Sequence, residues 1–157
     1  MSSAYYKSPI GTAKITGDQD GIQSINIIED DIETSNNVPV CLQDCVSQLE
    51  EYFTKNRKNF NLKLNPKGTE FQQKVWKELQ EIPFGKTTTY LQQSKNLGNI
   101  KAIRAVASAN GKNPLCIVIP CHRVIGSDGS LTGYAGGIWR KKWLLQHENA
   151  LKQHSLF

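Results

Sequence analysis

Apolar and polar side chains alternate along two short stretches near the start of the chain, residues 12–16 and residues 22–27. The segment between them, residues 17–21, begins and ends with glycine. Because successive side chains of a strand point to opposite faces, the alternation predicts two antiparallel strands around a turn, each with one face on a core. The acidic, asparagine-rich residues 29–37 are predicted to form a loop.

A helical spacing of apolar side chains follows this loop. Every fourth residue from 41 to 53 is apolar, which predicts an amphipathic helix that has Pro39 as an early residue and ends near Phe53. The face consists of Cys41, Cys45, Leu49 and Phe53. Core packing therefore explains the two cysteines better than metal binding does.

The pattern and the charge balance both change near residue 67. Residues 1–67 carry 7 Lys and Arg against 9 Asp and Glu, whereas residues 68–157 carry 12 against 5. We place a domain boundary here, which gives domains 1–67 and 68–157. The basic second domain is expected to meet a polyanion, with nucleic acid the first candidate.

The second domain opens with a predicted helix. Thr69 and Gln72 have the spacing of a capping box, and Pro83 follows the last turn. The side chains that we expect this helix segment to bury are Phe71, Val75, Leu79 and Ile82.

Two short helices come next, and their spacing is that of a helix-turn-helix. The first covers residues 89–97 and is ended by Gly98; the second is capped by Asn99 and ended by Gly111. The second helix is rich in small side chains, which suit either close helix packing or contact with DNA. The sequence thus predicts an α+β protein, an antiparallel-sheet domain followed by a helical one.

An apolar run, residues 117–119, is predicted to be a short strand that ends at Pro120. A glycine-rich loop, residues 126–137, follows it. The last predicted element is an amphipathic helix that carries Trp139, Trp143, Leu144 and Leu151.

Cys121 is the candidate nucleophile, because His122 and Arg123 follow it directly and a thiol reacts as thiolate. Neighbours in an extended chain point to opposite faces, so His122 is expected to act on Cys121 through a turn or a water. Glu148 is the candidate that orients the imidazole. A buried structural cysteine is the competing interpretation. A zinc site is disfavoured by the Cys-x4-Cys-His spacing; it would use Cys116, Cys121, His122 and His147.

Two motifs carry a resemblance to a known family. Residues 119–125, Ile-Pro-Cys-His-Arg-Val-Ile, and residues 133–137, Gly-Tyr-Ala-Gly-Gly, resemble the O6-alkylguanine-DNA alkyltransferases. Residues 83–90, the helix around Arg104 and residues 111–114 fall at the spacing of that family. The resemblance covers Gly68 to about Glu148 and is looser before it. It implies a ribonuclease H-like first domain and a winged helix-turn-helix-like second domain.

The resemblance also implies catalytic roles. Cys121 would accept the alkyl group, His122 would act through a water, and Glu148 would complete the relay. Asn113 would brace the turn, and Tyr90 would help to protonate the departing guanine. The extruded base would lie against Tyr90, Tyr134, the Ala135 backbone and the carbonyls of Cys121 and Val124.

DNA contacts follow from the same resemblance. Arg104 would enter the base stack in place of the flipped nucleotide; extrusion is necessary because a duplex hides the O6 atom. Ala102 and Ala105 would press against the minor groove. The cations expected to neutralise phosphates are Lys101, Lys112, Arg123 and Lys141.

The implied reaction is a single-turnover transfer from O6-alkylguanine, and from O4-alkylthymine, in double-stranded DNA. No cofactor and no metal are expected, and the protein is expected to be a monomer. Ala135 stands where some members carry serine, and Cys116 stands where others carry proline, a change that would alter the width of the pocket.

Three other functions are weighed against this one. An alkyltransferase-like protein would bind the lesion without accepting the alkyl group, but such proteins carry tryptophan at the acceptor position. A helix-turn-helix transcription factor would prefer one operator sequence. A Cys-His hydrolase would need an oxyanion hole, for which the sequence has no motif.

The expected location is inside the cell. No stretch approaches the roughly 20 apolar residues of a membrane span, and the first residues resemble no targeting signal. We therefore expect a cytoplasmic protein with no membrane partner, or a nuclear one in a eukaryote.

Overall fold

The computed structural model describes residues 1–151, which form two compact units. The first comprises Met1–Lys67 together with Pro114–Cys116. The second comprises Gly68–Asn113 and the described residues from Ile117 onward. The segment Pro114–Cys116 thus belongs with the first unit. The predicted domains, 1–67 and 68–157, place this segment in the second domain instead. None of the helices in the described part of the chain is long and apolar enough to cross a membrane.

The first unit contains an antiparallel sheet in the order β1-β2-β3. Its strands are β1 (Ser2–Ser8), β2 (Gly11–Asp18) and β3 (Gly21–Ile28). The predicted hairpin is confirmed as β2 and β3, with Gly21 at a φ of 136° that favours glycine. β1 is an additional strand that the alternation did not indicate. Two isolated parallel bridges, Ile22 to Leu64 and Ile25 to Leu115, extend the pairing of β3.

Helix α1 (Val40–Thr54) packs on this sheet and closes the core of the first unit. Its buried side chains are Leu42, Cys45, Leu49, Tyr52 and Phe53. The predicted helix is confirmed, but its buried face is rotated from the predicted one, because Cys41 is only half-buried. Pro39 is the N-cap rather than a helical residue.

The second unit begins with α2 (Glu70–Leu79), whose predicted capping box is present. The Thr69 hydroxyl accepts from Gln72 N at 3.1 Å, and the Gln72 side chain accepts from Thr69 N at 2.9 Å. Phe71 was expected in the buried stripe, but 39% of it is exposed. Trp76 is buried instead, and its indole donates to the Ala109 carbonyl at 2.9 Å.

The helix-turn-helix is confirmed as α3 (Tyr90–Asn96) and α4 (Ile103–Gly111), with a 3-10 turn at Ile100–Ala102 before α4. Gly98 ends the first helix region with a φ of 81°. Gln93 and Asn110 are both buried, and their amides exchange two hydrogen bonds of 2.9 and 2.8 Å. This pair fixes α3 against α4.

The predicted strand at residues 117–119 is wrong. These residues form a buried turn, and Ile117 has a φ of 74°, which no regular strand allows. A 3-10 turn at Cys121–Arg123 follows, and then β5 (Val124–Ile125) pairs in parallel with β4 (Thr88–Thr89). The last helix, α5, is Ile138–His147, so Leu151 lies beyond it.

Candidate active site

A short buried turn in the second unit presents the Cys121 thiol. The amide of Asn113, just after α4, donates to the Ile119 carbonyl at 2.7 Å and to Cys121 Sγ at 3.3 Å. The Cys121 N–H donates to the same Ile119 carbonyl at 2.8 Å. One side chain therefore holds both the backbone before the cysteine and its sulfur, which is the brace expected of Asn113.

His122 and Glu148 form a fully buried pair, with 2.8 Å between His122 Nε2 and Glu148 Oε2. Burial lowers the pKa of His122, although Glu148 opposes this, so the imidazole is neutral. A carboxylate can only accept, so Nε2 carries the proton and Nδ1 carries the lone pair. Nδ1 is buried and has no hydrogen-bond partner among the described residues. The ring is thus prepared to receive a proton at Nδ1.

Arg123 lies inside the unit, which corrects its expected role at a DNA phosphate. Only 6% of it is exposed, its Nε and Nη2 donate to the two Glu148 oxygens at 2.8 and 3.1 Å, and its Nη1 donates to the Ile82 carbonyl at 2.6 Å. Burial acts to raise the pKa of Glu148, but His122 and Arg123 together hold it well below its usual range. Glu148 is therefore a fixed carboxylate.

Lys141 is also fully buried, so it too is not placed for the predicted phosphate contact. Its ammonium donates to the Thr132 carbonyl at 2.7 Å and to the Tyr90 hydroxyl at 3.5 Å. Tyr90 donates to the same carbonyl at 3.1 Å. Burial lowers the pKa of Lys141 to about 8, although the Cys121 thiolate acts to raise it.

The groups around the Cys121 thiol shift its pKa in opposite directions. Burial raises the pKa of Cys121, whereas the Asn113 hydrogen bond and the Lys141 charge lower it in part. Burial likewise raises the pKa of Tyr90, which keeps the phenol protonated. Sequence reasoning missed this use of Lys141, since a charge pattern gives no sign of which cation will be buried.

The other predicted pocket residues flank this turn in sequence and differ in exposure. Val124 is fully buried in β5, and its N–H donates to the Cys121 carbonyl. Tyr134 is half-buried and Ala135 is exposed. Gly133 has a φ of 66°, and a side chain there would approach the Tyr90 hydroxyl to 3.4 Å.

The face expected to meet DNA is open. Arg104 and Ala105 are exposed on α4, Lys101 is exposed in the preceding 3-10 turn, and Ala102 is half-buried. Lys112, after α4, is exposed as well. Of the four cations assigned to phosphates, Lys101 and Lys112 thus keep accessible charges.

Two residues of the zinc site considered above, Cys116 and His147, make other contacts in the structure. Cys116 pairs through its N–H with the Ile25 carbonyl in the first unit, and His147 stacks on Trp143 with 5.0 Å between ring centroids. Within residues 1–151, no three His, Cys, Asp or Glu side chains are grouped as metal ligands would be.

Comparison with known proteins shows similarity along most of the chain. Residues 70–150 match the family described as 6-O-methylguanine DNA methyltransferase, DNA binding domain. Residues 1–66 match the family described as 6-O-methylguanine DNA methyltransferase, ribonuclease-like domain. The methylated-DNA–protein-cysteine methyltransferase of Methanosarcina acetivorans is 44% identical over an alignment of 157 positions, and the alignment covers 96% of this chain and 99% of that protein.

Solved structures show the same similarity. The crystal structure of the Mycobacterium tuberculosis O6-methylguanine methyltransferase has a TM-score of 0.82 at 39% identity, covering 93% of this chain and 91% of that one. The structure of the Mycobacterium tuberculosis protein in complex with DNA has a TM-score of 0.84 at 41% identity, with the same coverage.

Proposed function

The chain belongs to the 6-O-methylguanine DNA methyltransferase family and is a direct-reversal DNA repair protein, and we propose that Cys121 is the residue that accepts the alkyl group. The observation that carries this assignment is the setting of the thiol. Asn113 holds its sulfur at 3.3 Å, and the adjacent His122 is a neutral base fixed by Glu148. The substrate is double-stranded DNA that contains O6-alkylguanine, with O4-alkylthymine as a second lesion.

Activation of the thiol begins at His122. The Cys121 proton passes through a water to Nδ1, the ring atom that bears the lone pair. The resulting imidazolium is stabilised by the Glu148 carboxylate, which Arg123 holds from its other side. Arg123 is therefore a positioning residue for the relay rather than a DNA contact.

The transfer is an in-line displacement at a saturated carbon. Cys121 Sγ forms a bond to the alkyl carbon, and the bond from that carbon to guanine O6 breaks. Tyr90 donates its hydroxyl proton to the departing guanine, and the Lys141 ammonium stabilises the phenolate that remains. The product thioether has no easy route back to a thiolate, so each molecule acts once.

Access to the lesion requires the damaged nucleotide to leave the duplex, since stacking and pairing hide the O6 atom. Arg104 is exposed on α4 and occupies the space in the base stack that the nucleotide leaves. Ala102 and Ala105 allow the helix to approach the minor groove, while Lys101 and Lys112 contact phosphates. The protein acts as a monomer in the compartment that holds the DNA, which is the cytoplasm in a prokaryote and the nucleus in a eukaryote.

Mass spectrometry tests the acceptor directly. After incubation with duplex DNA that contains one O6-methylguanine, the peptide with Cys121 is expected to gain one methyl group per protein molecule. An unmodified Cys121 peptide beside fully demethylated DNA would refute the assignment. Cys41→Ala is the matched control, since Cys41 lies in α1 of the first unit.

A second test addresses extrusion. Arg104→Ala is expected to slow repair of duplex DNA by more than tenfold, because the cost of unstacking is a few kcal/mol. The same variant should react normally with the free base O6-benzylguanine, which needs no extrusion. Repair of duplex DNA at the rate of the unsubstituted protein would show that Arg104 has no role in flipping.

A further inference from the structure

Two large apolar side chains are exposed where α5 begins. Ile138 is 44% exposed and Trp139 is 54% exposed. They directly follow the glycine-rich loop that carries Tyr134 and Ala135 of the proposed base pocket. Isolated exposed hydrophobic residues are common, so exposure alone assigns nothing to this position.

The arrangement of Arg140 distinguishes this site. Its guanidinium carbon lies 4.5 Å from the centre of the Trp139 ring. Its Nη1 also donates to the Gly136 carbonyl at 2.7 Å, which anchors the guanidinium to the loop. A side chain at Gly136 would meet both Tyr134, at 3.0 Å, and Arg140, at 3.3 Å. The indole, the guanidinium and the loop that bears Tyr134 are therefore packed as one ordered surface.

The charges of the chain segment that forms this surface have one sign. Between Asp128 and Glu148 the chain contains Arg140, Lys141 and Lys142 and no carboxylate side chain. Lys141 is buried, whereas Lys142 is exposed. An aromatic ring beside arginine and lysine is the combination by which proteins hold nucleotides, with stacking on the ring and phosphates near the cations.

We propose that Trp139 and Arg140 form a contact for the lesion-bearing DNA strand, next to the pocket that receives the extruded base. The indole packs on a neighbouring nucleotide, and Arg140 and Lys142 face its phosphates. This inference rests on the proposed function, because it takes the loop at Tyr134 as the wall of the base pocket. It adds a second DNA contact to that of α4.

A second copy of the chain is a poorer occupant. A stable interface buries about 800 Å² on each partner, far more than two exposed side chains supply. The neighbouring cations would also repel their counterparts across a symmetric contact. The charge favours a polyanion, and residues 70–150 match a DNA-binding domain.

Equilibrium binding tests the contact. All variants are made in the Cys121→Ala protein, so that no transfer occurs, and are titrated with a labelled duplex that contains O6-methylguanine. Trp139→Ala is expected to raise Kd about tenfold through the loss of stacking, and Trp139→Phe about twofold. Trp143→Phe is the matched control on the same helix and is expected to leave Kd unchanged. Thermal unfolding verifies that each variant is folded.

Charge and stacking are separated by two further variants. Arg140→Lys keeps the charge, so the slope of log Kd against log salt should not change although binding weakens. Lys142→Ala removes one phosphate contact and should reduce that slope by about 0.9. A reduced slope for Arg140→Lys would contradict the assignment of Arg140 to the phosphates, because the charge at this position is still present.

Fluorescence reports on the indole itself. In the Trp143→Phe protein the emitters are Trp76, which is buried, and Trp139, and added DNA is expected to quench the latter. Unchanged Trp139 emission, an unchanged Kd for Trp139→Ala, or a Trp139→Ala effect on self-association in sedimentation would each overturn the proposal. If Cys121 of the unsubstituted protein gained no methyl group from the DNA, the proposed function would be refuted instead. The two failures are therefore distinguishable.

Discussion

Cys45 of the first unit is fully buried and Cys121 of the second is half-buried, and the groups that surround the two thiols differ. Cys45 packs among apolar side chains of α1, and burial raises its pKa to about 12. Burial also raises the pKa of Cys121, but there an asparagine amide and a lysine charge lower it in part. The pKa of a thiol, and with it the reactivity, therefore depends on the polar groups around the sulfur as well as on its burial.

The two units differ in the same way in where they keep their charges. The ion pairs of the first unit, such as Arg57 with Glu51 at 2.9 Å, lie at the surface. The second unit instead buries a cluster of ionisable side chains, His122, Arg123, Lys141 and Glu148. Burying charged side chains costs stability. The presence of such a cluster in the second unit therefore indicates that this unit retains it for its function.

The largest expected effect separates the two thiols. Cys121→Ala should abolish methyl transfer completely, because it removes the thiol proposed as the acceptor. Cys45→Ala should retain transfer and lose only about 1 kcal/mol of unfolding free energy, through the small cavity that it leaves. Transfer of label from methylated DNA to protein measures the first effect, and urea denaturation measures the second. Residual labelling of Cys121→Ala would point to another acceptor.

The next prediction concerns the two kinds of ion pair. Glu148→Gln leaves Arg123 buried without its carboxylate and removes the anchor of His122, so we expect a loss of about 3–5 kcal/mol. Glu51→Gln breaks a partly exposed pair and should cost less than about 1 kcal/mol. Urea denaturation of both variants at pH 7 provides the comparison. Equal losses would show that the buried cluster is not energetically distinct.

Much of the second unit could be predicted from the sequence because its signals are local. The capping box at Thr69 and the glycine at position 98 act within one turn of a helix, and both helix ends are confirmed. The prediction of a strand at residues 117–119 was wrong because an apolar run indicates burial but not backbone conformation. Strand β1 was missed because its alternation is weak, with Ala4 and Ser8 among its buried positions.

The charged residues show a different limit. Cys121, His122 and Glu148 were predicted together, and the structure brings His122 and Glu148 within 2.8 Å. Arg123 and Lys141 were assigned to phosphates because a sequence displays charge but not partners. The Glu148 carboxylate that binds Arg123 is 25 residues away. A partner at that separation is fixed by tertiary packing, which no local pattern encodes.

A pH dependence should mark the buried lysine. The pKa of Lys141 is lowered to about 8 in the folded protein from 10.5, so between these values the unfolded chain binds more protons. The free energy of unfolding should therefore rise with pH, by about 2 kcal/mol from pH 7.5 to pH 9.5. Lys141→Met should lack this rise. The Cys121→Ala background removes the titration of the thiol from both proteins. It also removes the charge that raises the pKa of Lys141, so this pKa falls further and the rise with pH persists.

Lys63→Met is the control for this experiment, since Lys63 is an exposed lysine of the first unit. It should keep the full pH dependence of the parent. If Lys141→Met retained the same rise as Lys63→Met, Lys141 would not be the group that titrates.

The smallest expected effect compares two amides. Gln93→Leu removes a buried partner and leaves the Asn110 amide unsatisfied between α3 and α4, which should cost about 1–3 kcal/mol. Gln48 makes the same number of bonds in the first unit, to the backbone of Asn61 at 3.0 and 2.8 Å, but where solvent can replace them. Gln48→Leu should therefore cost less than about 1 kcal/mol. Denaturation midpoints that rank the variants in the opposite order would show that solvent exposure does not govern the cost of losing these amides.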